Sequence, residues 1–181
     1  MRNLAPLFLF SACVHKPVLN TSVTTNLSTP SEEVVSLPLS ECSRDTLSMI
    51  NRSLKYLNRH KDELPDGDFP DIVEGVKDLI DSPPPIWCLK AEDTPPSSIH
   101  SAEAFDSDGD GLADAVYFVE RGLLDEINGC HFPALISHEF AHIAAEQITA
   151  GAYDPQAMHA KIKKWEWDVV EMCGTQKKIF Y

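Results

Sequence analysis

The chain is poor in positive charge, with 15 lysine and arginine residues against 28 aspartate and glutamate residues and a formal net charge of -13. This imbalance disfavours nucleic acid and anionic lipid surfaces as partners, and it is compatible with calcium or cationic substrates. No Cys-x-x-Cys pair occurs among the five cysteines, which argues against a zinc site made of cysteine. No apolar run is long enough to span a bilayer as a helix, and no repeat of solenoid length is evident.

One motif stands out, the five residues His-Glu-Phe-Ala-His that begin at His138. On a helix, His138 and His142 share a face, so both imidazoles can bind one metal ion while Glu139 lies beside them as a base. Apolar neighbours on both sides, Pro133 in the first turn and a stop at Ala150-Gly151 predict a buried helix. The motif indicates a zinc hydrolase.

Catalytic zinc normally has three protein ligands and one open position, so a further ligand is needed. A second helix is predicted from Pro155 to Cys173, and it contains Glu166, which we favour as the third ligand. Asp168 is the next choice. Three further alternatives stay open: His159, Asp154 and Glu171.

Together with Glu166 and its two flanking tryptophans, Trp165 and Trp167, the motif at His138 resembles the gluzincins. These are zinc metallopeptidases whose third ligand is a glutamate on a following helix. The resemblance covers residues 133 to 173. In the CAAX-prenyl-endopeptidase branch an aspartate follows that glutamate four residues later, but Val170 stands here. The carboxylate that orients a zinc-bound histidine must therefore come from elsewhere. The resemblance implies a minimal zincin-like fold and hydrolysis of peptide bonds.

In that mechanism zinc lowers the pKa of its water to roughly 7, and Glu139 takes the proton as the water attacks a carbonyl. The oxyanion that forms needs a hydrogen-bond donor. The candidates are Tyr153, His159 and Tyr117.

A second motif places aspartates at loop positions 1, 3, 5 and 9 and glycine at position 6, which suits calcium. The predicted ligands are Asp106, Asp108, Asp110, Leu112 and Asp114, and Glu103 or Glu120 would complete the shell. Tyr117 replaces the glutamate of an EF-hand, so the loop resembles the calcium loops that lead into strands, as in FG-GAP and thrombospondin type 3 repeats. The alternative is an ion-free Asp/Gly turn between strands at 99–105 and 115–119.

The first twelve residues resemble a bacterial lipoprotein signal, with Cys13 as the lipidated residue. Residues 13–40 are predicted to form a tether and residues 41–181 one domain. We therefore expect a lipid-anchored protein of the cell envelope, or alternatively a secreted one. Four cysteines remain, Cys42, Cys88, Cys130 and Cys173, and two disulfides are expected. Three pairings are open, among them Cys130 with Cys173.

The predicted fold class is α+β, mostly helical with a small sheet or hairpin before the motif helix. Ser43 to His60 reads as a packing helix with Ser43 as N-cap, 71–80 as a second helix, and 86–89 as an extended piece. The sequence predicts one of two functions. The first is a zinc metallopeptidase acting on protein or peptide in the cell envelope. The alternative is a non-catalytic envelope lipoprotein, a binding or scaffold module with structural zinc or calcium.

Overall fold

The computed structural model describes residues 40–90, 102–120 and 129–175. The predicted signal segment, Cys13 and all of the tether except residue 40 lie outside these residues, as does the start of the strand predicted at 99–105. The described part contains four α-helices, one short 3-10 helix and a three-stranded sheet. The α+β class expected from the sequence is confirmed at this level.

The first two helices follow the local sequence signals closely. Helix α1 spans Arg44–His60, and the Ser43 side chain caps it by accepting a hydrogen bond from the Thr46 amide. A 3-10 turn, Lys61–Glu63, leads towards helix α2, Pro70–Asp81, which starts with proline at its first position. Both helices bury one apolar face, as their spacing of hydrophobic residues predicts.

The sheet consists of β1 (Ile86–Leu89), β2 (Ala102–Phe105) and β3 (Ala115–Val119), in the spatial order β1-β3-β2. Strands β2 and β3 pair antiparallel across the acidic loop, as expected, and β1 pairs parallel with β3. Val116 and Phe118 on one face belong to the main core with the helices. Because β3 lies in the middle, β2 forms an edge of the described sheet.

Helix α3, His131–Thr149, is the central element and packs against α1, α2 and β2. It is buried on most sides and ends where Ala150 and Gly151 take left-handed conformations, with φ of 50° and 73°. These features confirm the predicted buried helix and its stop. Gly75 of α2 lets the two helices approach closely, because a Cβ added there would lie 2.9 Å from the Cβ of Ala144.

Helix α4, Pro155–Thr175, packs alongside α3 and runs back along it. The two helices are joined by a short turn at one end and by the Cys130–Cys173 disulfide at the other. The second disulfide is Cys42–Cys88, so the two expected bridges are both present. Trp165 anchors α4 in the core, where its indole N–H donates to the Pro65 carbonyl at 2.6 Å. None of the helices in the described ranges is both long and apolar enough to cross a membrane.

Candidate metal centre

Three histidines meet between α3 and α4. His142 Nε2 lies 3.2 Å from His138 Nε2 and 3.1 Å from His159 Nδ1. His138 and His142 come from the motif on α3, one helical turn apart, and His159 comes from the second turn of α4. The structure thus brings the two predicted ligands to His159, one of the alternatives that the sequence left open.

The antiparallel helix pair explains this meeting. Both helices rise by the same distance per residue, so facing residues lie about equally far from the turn that joins them. The residue pairs 142/159, 138/166 and 130/173 have midpoints between residues 150 and 152. One register therefore sets the histidine cluster, the contact between His138 and Glu166, and the disulfide.

Two of the three separations between the ring nitrogens are close to those around a tetrahedral metal. Zinc–nitrogen bonds of about 2.0–2.1 Å in tetrahedral geometry put neighbouring nitrogens about 3.3 Å apart. The separations of His142 Nε2 from the nitrogens of His138 and His159, 3.2 and 3.1 Å, are close to that value. Burial, together with the charges of His138 and His159, lowers the pKa of His142 to about 3. His142 is consequently a neutral imidazole at physiological pH, which is the form that binds a metal.

Glu166 lies on the other side of the His138 ring. Its Oε2 atom is 2.9 Å from His138 Nδ1. The contact is short but lacks the geometry of a hydrogen bond, and His138 Nδ1 has no hydrogen-bond partner among the described residues. Lys163 Nζ is 2.8 Å from the same oxygen. Burial raises the pKa of Glu166, but His138 and Lys163 more than offset this effect and lower the pKa to about 2. The carboxylate is ionised and faces the nitrogen of His138 that points away from the cluster.

Glu139, the predicted base, is almost fully buried beside the histidines. Its Oε2 atom accepts a hydrogen bond of 2.9 Å from the amide of Ala104 on the edge strand β2. Burial is the largest influence and raises the pKa of Glu139 to about 7, although His138 and the Ala104 amide act in the opposite direction. A carboxylate with a pKa near 7 can exchange a proton at neutral pH.

The other candidates from the sequence lie elsewhere or have other partners. Asp154 caps α4, because its Oδ1 accepts from the amides of Gln156 and Ala157. Asp168 and Glu171 do not belong to the histidine group found among the described residues. For the oxyanion, Tyr153 donates to Glu146 at 3.3 Å and Tyr117 donates to Glu103 at 2.5 Å, whereas His159 is in the cluster.

The acidic loop gathers the carboxylates of Asp106, Asp108 and Asp110, whose oxygens lie within 4.8 Å of one another. Each also accepts local amide hydrogen bonds: Asp106 from Gly109 and Gly111, Asp108 from Asp110, and Asp110 from Leu112. This pattern is typical of an Asp-rich turn. Three of the predicted calcium ligands are therefore adjacent, and calcium binding stays a prediction.

The remaining carboxylates of the calcium prediction have other contacts. Asp114 accepts from both the amide and the hydroxyl of Ser107. Glu120 accepts from the amide of Ser43, and Glu103 accepts from Tyr117. The end of the loop is fastened to helix α3, since the amide of Ala113 donates to Glu146 at 2.6 Å.

Comparisons with protein-family models, with curated proteins and with solved structures found no match for this chain.

Proposed function

We propose that the chain is a zinc-dependent metallopeptidase in which His138, His142 and His159 hold the metal and Glu139 activates water. The observation that carries this proposal is the convergence of three ring nitrogens beside a buried glutamate. A structural zinc site normally has four protein ligands, whereas three ligands with an adjacent carboxylate are typical of a catalytic one. The proposal differs from the sequence preference in one respect, because Glu166 becomes the partner of His138 and His159 the third ligand.

Each side chain has a defined task in this proposal. Glu166 at His138 Nδ1 would select the tautomer that leaves Nε2 as the metal ligand, which is the common role of a carboxylate behind a zinc-bound histidine. A bound zinc ion would acidify water and polarise a carbonyl. Glu139 would accept the proton of that water and pass it to the leaving amine. A dication beside Glu139 favours the charged carboxylate, so the base would be ready at neutral pH.

The sheet edge supports a peptide as substrate. The Ala104 amide points out from β2 to Glu139 and not towards β3. A strand edge can pair with an extended peptide through its outward N–H and C=O groups, and here that edge lies beside the proposed base. Because the Ala104 N–H already donates to Glu139, a peptide would pair with the other outward groups of the edge. A peptide held there would bring a backbone carbonyl close to the histidine cluster.

The proposed setting is the bacterial cell envelope or the space outside the cell. Two disulfides support an oxidising compartment. Lipidation at Cys13 would give membrane attachment through an anchor only, and this remains a prediction from the sequence.

Purified protein should be tested for bound zinc and for cleavage of a mixture of unstructured peptides by mass spectrometry. We expect about one zinc per chain and a Glu139→Gln variant that retains zinc but loses activity by roughly 100- to 10,000-fold, the usual contribution of a general base. Zinc without any cleavage would favour the alternative, a non-catalytic module with a structural metal. No zinc after supplementation would refute the proposal.

A further inference from the structure

Helix α4 carries two adjacent lysines with different surroundings. Lys163 is 43% exposed and its ammonium group lies 2.8 Å from Glu166 Oε2. Lys164 is 72% exposed and reaches Asp68 on the surface at 3.4 Å. Only Lys163, of these two, contacts the residues of the proposed metal centre. Because exposed pairs such as that of Lys164 contribute little, Lys164 is a matched control for Lys163.

The contact with Lys163 favours one position of the Glu166 carboxylate. Glu166 is only 12% exposed, and Oε2 is shared between Lys163 Nζ and His138 Nδ1. The contact with Lys163 joins two ionised groups, and such contacts are stronger than neutral hydrogen bonds. If Glu166 moved to the metal side of the His138 ring, both contacts would be lost. The ammonium group therefore favours the position behind His138.

We propose that Lys163 is a positioning residue that retains Glu166 on His138 and keeps its carboxylate out of the metal's coordination shell. The inference rests on the proposed metal centre and deepens it. A glutamate in the shell would fill the position that water and substrate require, because a catalytic zinc needs an open site. Lys163 would thus maintain a three-histidine centre in a chain that also carries a carboxylate behind one of the proposed ligands.

The test uses the full chain loaded with cobalt(II) in place of zinc, since the visible absorption of cobalt reports the number and type of its ligands. Lys163→Met removes the ammonium group and keeps a helix-forming side chain of similar length. We expect a changed visible cobalt spectrum, as the Glu166 carboxylate replaces water in the shell. Zinc affinity should change by on the order of 10-fold, as is usual when a residue that supports a metal ligand is altered.

Two further variants separate this role from a general effect of charge or stability. Lys164→Met removes the same charge from the neighbouring position, and we expect it to leave the cobalt spectrum unchanged. The double variant Lys163→Met with Glu166→Gln has no carboxylate to enter the shell, so its spectrum should match that of Glu166→Gln alone.

The outcomes distinguish the two proposals. An identical cobalt spectrum in wild type and Lys163→Met, with metal bound in both, would refute the role of Lys163 and leave the metal centre in place. A double variant whose spectrum differs from that of Glu166→Gln, as Lys163→Met differs from wild type, would also refute it. Failure of the wild type to bind either zinc or cobalt would refute the metal centre, and the role of Lys163 with it.

Discussion

The histidine cluster and the acidic loop both contain residue types that bind metals, but they are held in different ways. The loop carboxylates of Asp106, Asp108 and Asp110 accept amide hydrogen bonds from residues at most five positions further along. The ring nitrogens of His138, His142 and His159 come from two helices and have one another as close neighbours.

This difference shows how local and tertiary structure prepare a site. The loop can hold its shape without an ion, because its own backbone compensates the carboxylates. The histidines are placed by helix packing, and buried polar groups that meet there are costly without a partner such as a metal. We therefore expect zinc at the histidine cluster to depend on the tertiary structure and calcium at the loop to depend on the local sequence.

The largest effect is expected from the disulfides. Replacing Cys130 and Cys173 by serine should lower the free energy of unfolding by about 4 kcal/mol, because a cross-linked loop of this length is released. Replacing Cys42 and Cys88 should cost a similar amount, since the sequence separations are 43 and 46 residues. Only the first variant should also weaken zinc binding, because that bridge holds α3 and α4 in register. Equal zinc affinity in the two variants would contradict the dependence on the helix pair.

The second prediction concerns the third ligand. His159→Ala should weaken zinc binding by roughly 100- to 1000-fold, if each ligand supplies about a quarter of the 10–16 kcal/mol of a structural zinc site. Glu166→Gln should weaken it by about 10- to 100-fold, as expected for a partner behind a ligand. Competition with a chromophoric chelator measures both, and Asp108→Asn in the loop serves as a control with no effect. A larger loss in Glu166→Gln than in His159→Ala would restore Glu166 as the ligand.

The third prediction uses the pKa of Glu139 in metal-free protein. Burial raises this pKa from 4.5 to about 7, so the unfolded chain releases the proton at lower pH than the folded one. The contribution of Glu139 to the free energy of unfolding is fully present below about pH 4.5. It falls by about 3 kcal/mol in total as the pH rises through 7. Urea unfolding with a chelator should therefore show a more negative change in stability from pH 5 to pH 8 in wild type and in Asp108→Asn than in Glu139→Gln, where this contribution is absent. The variants are compared with one another because the lowered pKa of His142 acts on stability in the opposite direction over this pH range. An equal change in Glu139→Gln would count against the assignment.

The smallest effect is expected from calcium. A loop with a dissociation constant of about 0.1–1 mM would add about 1 to 3 kcal/mol of stability at about 10 mM calcium. Thermal unfolding with and without calcium measures this, and Asp106→Asn should abolish the shift. Because the loop is local, zinc affinity should not change. No shift in the wild type would mean that the aspartates serve the turn alone.

The elements that were predicted well have strong local signals. Ser43 and Pro70 mark the starts of α1 and α2, and Ala150-Gly151 marks the end of α3. The helical motif likewise places His138, Glu139 and His142 together, because residues one turn apart share a face. Its burial could also be anticipated from the apolar residues around it.

The third histidine was not preferred because its spacing of 17 residues from His142 matches no short motif. The register of the helix pair brings His159 to the motif histidines. A disulfide between Cys130 and Cys173, one of the three open pairings, predicts that register. The tryptophans on either side of Glu166 favoured that residue instead. Trp165 proves to be a core anchor, whereas Trp167 is exposed at the surface.

The amino-acid sequence thus determines the helices, the turn chemistry of the acidic loop and the two motif histidines, because these depend on neighbours within a few residues. The tertiary structure decided the parallel pairing of β1 with β3 and the approach of β2 to Glu139. It also placed His159, rather than Glu166, beside the ring nitrogens shared by His138 and His142. Contacts between distant segments depend on how whole elements pack and in which register they meet. A different register would bring other residues of α4 to the motif histidines.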